Sequence, residues 1–389
     1  MRKIWVAVVG AVACGGRPTD CIEPPPPCPD DAPMIGVDNG FSVDRAQVQW
    51  TWNRRCKFSS ADPVYVRVPD DIVGLSVAVD NGSDKTAIGY AALDGEVLLD
   101  ISEVDGTESF YSEPWYHGYN PVSAWVRPMR PGDEPTGGCM TIVGVTEANV
   151  DGEVAEVAFA SRRAEEGDAI DVVVGKLAGT NVDDSDLMAG VQRMEEVLGD
   201  AGIGLRTINV VEVPWDGEPF VAQEGDALDA LRAFDLGGSP EAMYLLVVQD
   251  FTEGDGTLGF AAGIPGPVGL QETASSAVVL SVDAHLDEDF VAFLPGLFGE
   301  TAAHEIGHQL GLFHTTEAEG TSHDFLDDTP ACEAAERDAD GDGQVTAEEC
   351  ENFGGRNVMF WTAGDFSQEE WSDGQRFVLQ RSPVVVERD

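Results

Sequence analysis

The sequence predicts two folded units in series: an antiparallel β-sandwich over residues 35–165, then an α/β unit with a mixed, mostly parallel sheet over residues 166–389. Three observations carry that prediction. From Ile35 to Arg163, short segments such as "PVYVRV", "GLSVAV" and "EVAEVAFA" alternate apolar and polar residues. Gly, Asn, Asp and Pro break them roughly every ten residues, the pattern of half-buried strands joined by tight turns. From about Glu165 the texture changes to a continuous apolar strand, "DAIDVVVGKLAG", an amphipathic helix and a further strand. Strand–helix–strand order is the signature of a parallel sheet. The length, 389 residues, suffices for two such cores.

Ahead of the sandwich, residues 1–13 read as a signal peptide. Arg2 and Lys3 precede an apolar run from Ile4 to Ala13 that is too short to span a bilayer. Small residues ending at Cys14 ("AVAC") resemble a bacterial lipoprotein signal, in which the cysteine is lipidated and becomes the first residue; Ala11 stands where such signals usually carry Leu. Residues 14–34, rich in proline, form an extended tether. The expected location is therefore extracytoplasmic, either anchored by lipid on Cys14 or plainly secreted. Six further cysteines, an even number, suit disulfides in an oxidising compartment. Proximity along the chain suggests Cys21–Cys28, Cys56–Cys139 and Cys332–Cys350, a connectivity that sequence alone does not fix.

Charge narrows the partners. Against 22 basic residues stand 71 acidic ones, a formal charge of −49. Such a surface repels nucleic acid and anionic headgroups, leaving a lipid anchor as the one route to a membrane. The sandwich region carries no catalytic constellation, and His117 within it reads as an ordinary turn histidine.

In the second unit, "DDSDLMAGVQRMEEVLGDAG" reads as a helix capped by Asp or Ser and closed by Gly202. Strand "IGLRTINVVEV", a helical "GDALDALRAF", the buried strand "AMYLLVVQDF", a glycine-rich loop "GTLGFAAGIPGP" and strand "SAVVLSVDAH" follow. The last of these is the candidate sheet edge. A helix is expected from about Phe298 to Leu312, and another near the C-terminus with Ser367 and Glu370 as its capping box.

The first of those helices carries "HEIGHQLGLFH", which holds three of the six histidines. His304 and His308, at i and i+4, project from one helical face, as two imidazole ligands of a tetrahedral Zn²⁺ must. Gly311 can adopt the left-handed conformation that ends the helix, so that His314 swings in as third ligand. Three protein ligands leave one coordination position open, the mark of a catalytic site. Glu305, beside the first ligand, is placed to take a proton from water without ligating.

These eleven residues match the H-E-x-x-H-x-x-G-x-x-H consensus, so the chain resembles the metzincin metalloendopeptidases. Met359 in "NVMFW" fits the methionine turn that lies beneath the zinc in that clan. Thr315, "DDTPAC" around Thr329 and the Asn-x-Met turn are most similar to the pappalysin family, over about residues 166–389. The resemblance implies a zinc endopeptidase acting on protein or peptide substrates, with Glu305 as general base and Met359 as an apolar floor. A monomer is expected. One residue departs from the pattern: pappalysins usually carry Tyr two residues after the turn methionine, where this chain has Trp361, which can neither ionise nor ligate.

A second metal signature is "DADGDGQVTAEE". Asp338, Asp340 and Asp342 fall at loop positions 1, 3 and 5, Gly343 at 6, Gln344 at 7 through its carbonyl, Thr346 at 9 and Glu349 at 12. This EF-hand-type pattern of hard oxygen ligands over residues 338–349 suits Ca²⁺ in a structural role. Cys332 and Cys350 bracket the loop. His323, Asp324, Asp327 and Asp328 read as bracing for the segment between the two motifs. A different class of function stays open at this point: a cell-surface binding lipoprotein that uses the sandwich and keeps the protease fold as scaffold.

Overall fold

The computed structural model describes residues 25–36, 40–55, 57–82, 86–100, 122–163, 167–221, 241–252, 256–269 and 273–388 apart from 274, 288 and 290. Cys14, Cys21, Cys56, His117 and the helical reading of "GDALDALRAF" lie outside them.

Strands β1 (Phe41–Asn53), β2 (Phe58–Ala61), β3 (Val64–Val68), β4 (Ile72–Asp80), β5 (Ala87–Leu93), β6 (Glu96–Asp100), β7 (Val122–Arg127), β8 (Gly138–Thr146) and β9 (Val154–Arg163) form one antiparallel sheet. Its order is β6-β5-β8-β2-β1-β9-β4-β7, with β3 on β8. The sheet curls because β1 is long enough to serve two neighbours. Its residues 41–49 pair with β9, while Trp50–Asn53 pair with β2. The inner face buries Trp50, Trp125, Phe159 and Ile142, each at most 1% exposed, so the apolar positions of the alternating pattern do form one core.

The mixed sheet follows. Strands β10 (Ala169–Leu177), β11 (Gly204–Val213), β13 (Met243–Val248) and β16 (Ala277–Ser281) are parallel, and β15 (Gly259–Ala261) adds antiparallel to β16, in the order β11-β10-β13-β16-β15. A short parallel pair, β12 (Phe220–Val221) and β14 (Asp250–Phe251), lies apart. The continuous apolar runs become β10, β13 and β16, buried on both faces as central parallel strands must be. "SAVVLSV" is thus not the edge. The glycine-rich stretch read as a loop folds back as β15 and covers it, so β15 terminates the sheet among the described residues.

Two helices cover one face. Helix α1 (Asp184–Asp200) buries Leu187, Val191, Met194 and Leu198 along one stripe. Helix α2 (Pro295–Gln309) starts earlier than the sequence indicates, with proline in its first turn, where no amide partner is needed. The two cross closely: a Cβ on Gly299 would stand 2.5 Å from the Gly190 carbonyl. Arg193 on α1 also pairs with Glu300 on α2 at 2.7 Å. The C-terminal helix α3 (Asp373–Arg381) is capped by Ser372 and Gln375, not by Ser367 and Glu370. Ser367 instead bonds Glu300, and the Glu370 carbonyl accepts from Val358; both residues are held against the metal-site elements rather than starting a helix.

Two disulfides, Cys28–Cys139 and Cys332–Cys350, join described residues. The second is as proximity suggests. The first replaces the pairings expected for both Cys28 and Cys139, because Ala32–Ile35 runs alongside β3, with Ile35 N–H donating to the Arg67 carbonyl and Arg67 N–H to the Pro33 carbonyl. That brings Cys28 to β8, although the two cysteines are 111 residues apart in sequence. Among the described residues no helix is long and apolar enough to cross a membrane.

Candidate metal centre

Helix α2 carries His304 and His308 one turn apart and ends at Leu310; Gly311 then adopts φ +107° and reverses the chain. The turn brings His314 back against the helix. One ring nitrogen of each histidine lies within 4.8 Å of the others, and all three residues are 1–3% exposed.

The other nitrogen of each ring is already committed. His304 Nδ1 donates to the Val358 carbonyl at 2.6 Å, His308 Nδ1 to the Leu312 carbonyl at 2.7 Å and His314 Nδ1 to Glu317 Oε1 at 2.8 Å. A carbonyl or carboxylate can only accept, so each Nδ1 bears a hydrogen and, in the neutral ring, each Nε2 keeps its lone pair. His304 Nε2 and His314 Nε2 nevertheless face one another at 3.2 Å, and buried His308 Nε2 has no hydrogen-bond partner. Three inward lone pairs repel unless a cation lies between them. Tetrahedral zinc, with nitrogens at about 2.0–2.1 Å, would set them about 3.3–3.4 Å apart. The residues therefore fit the metal that the sequence motif implies. Burial, with the neighbouring His314, pushes His304 down to about 3. Burial likewise drives His308 well below its usual value. Both are held in the neutral form that ligates.

Glu305 follows the first histidine on the same helix. It is fully buried, and neither carboxylate oxygen completes a hydrogen bond. Burial raises its pKa to about 8, offset in part by the backbone of Ala261 on β15. The segment carrying Met359 packs against this helix: a Cβ on Gly307 would meet Met359 Sδ at 2.5 Å, and Thr315 N–H donates to the Met359 carbonyl. The glycine inside the motif thus makes room for that sulfur.

The acidic loop also converges. Asp338, Asp340 and Asp342 bring one oxygen each within 4.8 Å of one another. Glu349 folds across the loop, accepting from Ala339 N–H at 2.8 Å and Thr346 N–H at 2.9 Å. Gly341 and Gly343 take φ +75° and +85°, where side chains are disfavoured. Trp361, the departure from the pappalysin pattern, turns toward this loop: its Nε1 donates to the Val345 carbonyl at 2.7 Å. With Phe360, Cys332 and Cys350 it forms a small core between the acidic loop and the methionine turn. Of the bracing candidates, Asp324 accepts from Thr329 and its other oxygen lies buried without a partner; burial raises it to about 7. Asp328 ties to Ser372 and Gly374 at the start of α3.

Sequence reasoning missed Glu317 and the carbonyls of Val358 and Leu312. Backbone acceptors leave no sequence signal. Glu317, three residues past the third histidine, could have been found by asking which nearby carboxylate orients that ring.

No protein-family model matches the chain, and no curated protein sequence matches it. Among solved structures it is similar to metalloproteinase-II from Bacteroides fragilis, at 20% identity and a TM-score of 0.28, over 41% of this chain and 48% of that one. The match thus spans about half of that protein's length. It is also similar to the archaemetzincin of Methanopyrus kandleri (20%, TM-score 0.25, covering 37% and 75%) and to myroilysin (12%, 0.27, covering 56% and 82%). At these TM-scores the likenesses are too slight to bear on function.

Proposed function

We propose that this chain is an extracytoplasmic zinc endopeptidase of the metzincin type, most like the pappalysins, with residues 166–389 as its catalytic unit. His304, His308 and His314 would hold Zn²⁺. The observation that carries the reading is the set of three buried Nε2 lone pairs turned inward, each ring fixed from behind through Nδ1. Zinc, when bound, supplies Lewis-acid polarisation of the scissile carbonyl and acidifies the attacking water.

The remaining work falls to the chain. The buried Glu305 carboxylate, which completes no hydrogen bond and has the Ala261 backbone as a neighbour, would take the proton from water, orient the nucleophile and pass the proton to the leaving amine. The outer edge of β15, beside Glu305, offers backbone groups for an extended peptide to add as a further strand. Met359 serves as apolar floor, without chemistry. Asp338, Asp340, Asp342, the Gln344 carbonyl, Thr346 and Glu349 would hold one structural Ca²⁺, a reading supported by the sequence pattern and the convergence of the three aspartates. Lipidation of Cys14 would anchor a monomeric enzyme outside the cytoplasm through the tether of residues 14–34. The N-terminal sheet would be its β-sandwich unit.

The test is incubation with an unfolded protein substrate before and after zinc chelation, and again after zinc is restored. Cleavage should disappear and return. Cleavage that persists once the metal is fully removed would overturn the reading.

A further inference from the structure

The sequence presents residues 35–165 as a unit separate from the protease, yet their core reaches into the zinc motif. Phe313, the residue before the third histidine, is 6% exposed. Its buried neighbours belong to the N-terminal sheet: Phe313 joins the cluster containing Trp125, Val126 and Met129, not the one that holds Ile306 and Met359. Two residues earlier, the turn itself touches β7, since a Cβ on Gly311 would stand 2.7 Å from Val126 Cγ1. Ile264, from the loop after β15, packs on the same cluster. Phe325 stacks edge-on to Phe313 at 5.5 Å between ring centres and borders both cores.

The His308–His314 turn is therefore gripped from two sides. Helix α2 and the methionine turn hold one; strand β7 holds the other. His304 and His308 take their positions from the helix. His314 has no helix of its own, and its ring is aimed by Glu317 while its backbone is located by Gly311 and Phe313. We infer that β7 of the N-terminal sheet is a positioning element for the third metal ligand, with Val126 and Phe313 as the positioning residues. The sheet is then part of the catalytic apparatus rather than an appended module. This rests on the zinc reading in one respect only, that His314 is a ligand.

The experiment compares three full-length proteins: wild type, Val126→Ala and Val66→Ala. Val66 is buried in the same core on β3, which pairs with β8 and not with β7, so its truncation leaves a cavity of the same kind without removing the Val126 contact to Gly311. Zinc affinity is measured by competition with a chromogenic chelator, and the visible ligand-field spectrum is recorded after cobalt replacement. Val126→Ala should weaken zinc binding about tenfold, at the lower end of what loss of a supporting residue costs, and alter the cobalt spectrum. Val66→Ala should lower the melting temperature comparably and leave both metal readouts unchanged. If wild type binds metal and the two variants behave alike toward it, the inference is overturned while the zinc reading stands. If wild type takes up no stoichiometric metal, both fall.

Discussion

The histidine trio is 1–3% exposed, whereas in the acidic loop Asp338 is half-buried and Asp340 and Asp342 stand in solvent. The rings of the first are locked from behind by Val358, Leu312 and Glu317 before any metal arrives. The carboxylates of the second occupy themselves with the loop's own amides: Asp338 accepts from Gly341 and Gly343, Asp342 from Gln344. On the proposed reading, a site that must hold its ion in one geometry through each turnover is preorganised at the cost of buried lone pairs, whereas a loop whose ion would only brace the fold can stay solvated, its charges separated by local turns. Trp361 Nε1 on the Val345 carbonyl ties the acidic loop to the segment that carries Met359.

The contrast can be broken in three places. Glu349→Ala strips the acidic loop of its closing carboxylate and should abolish calcium-dependent stabilisation. At a hundredfold excess of calcium over its dissociation constant that stabilisation is about 2.7 kcal/mol, or roughly 5–10 °C in melting temperature. A wild-type melt indifferent to calcium would reduce the loop to an acidic turn. Glu317→Gln leaves a weaker partner for His314 Nδ1 and should reduce zinc affinity by about 10–100-fold with little change in the melt at saturating zinc; unchanged affinity would show that the ring is aimed by packing alone. Trp361→Phe keeps a six-membered aromatic ring but deletes the rest of the indole with its N–H, opening a small cavity in that core and stranding the Val345 carbonyl, the latter at about 1–2 kcal/mol. It should lower calcium-dependent stability while leaving the zinc content intact. Loss of zinc instead would mean the tryptophan supports the metal centre itself.

Much of this was legible in the chain. The three clustered histidines declare themselves because i, i+4 spacing and a helix-ending glycine are local geometry, and His314 arrives where Gly311 turns it. The acidic loop is local too. Period-two alternation marked β3, β4 and β9, and continuous apolar runs marked β10, β13 and β16. What failed was non-local. "SAVVLSV" looks like an edge until the glycine-rich stretch folds back on it as β15. Cys28 pairs across 111 residues because the segment near Ile35 runs beside β3. Ser367 has the spacing of a cap, but Glu300 and Arg193 engage it first. Nor does any pattern around Phe313 reveal that its side chain belongs to the core of the other sheet.

The central claim is that Glu305 acts on a proton beside a metal that it does not itself hold. Glu305→Gln isolates that claim, because the amide keeps the shape of the side chain and cannot accept the proton. Zinc content and cleavage of an unfolded protein are measured on the same preparation. The account predicts zinc near one equivalent, an unchanged melt and a fall in turnover of at least about 100-fold, the scale of general-base catalysis. Turnover close to wild type, with zinc still bound, would contradict it.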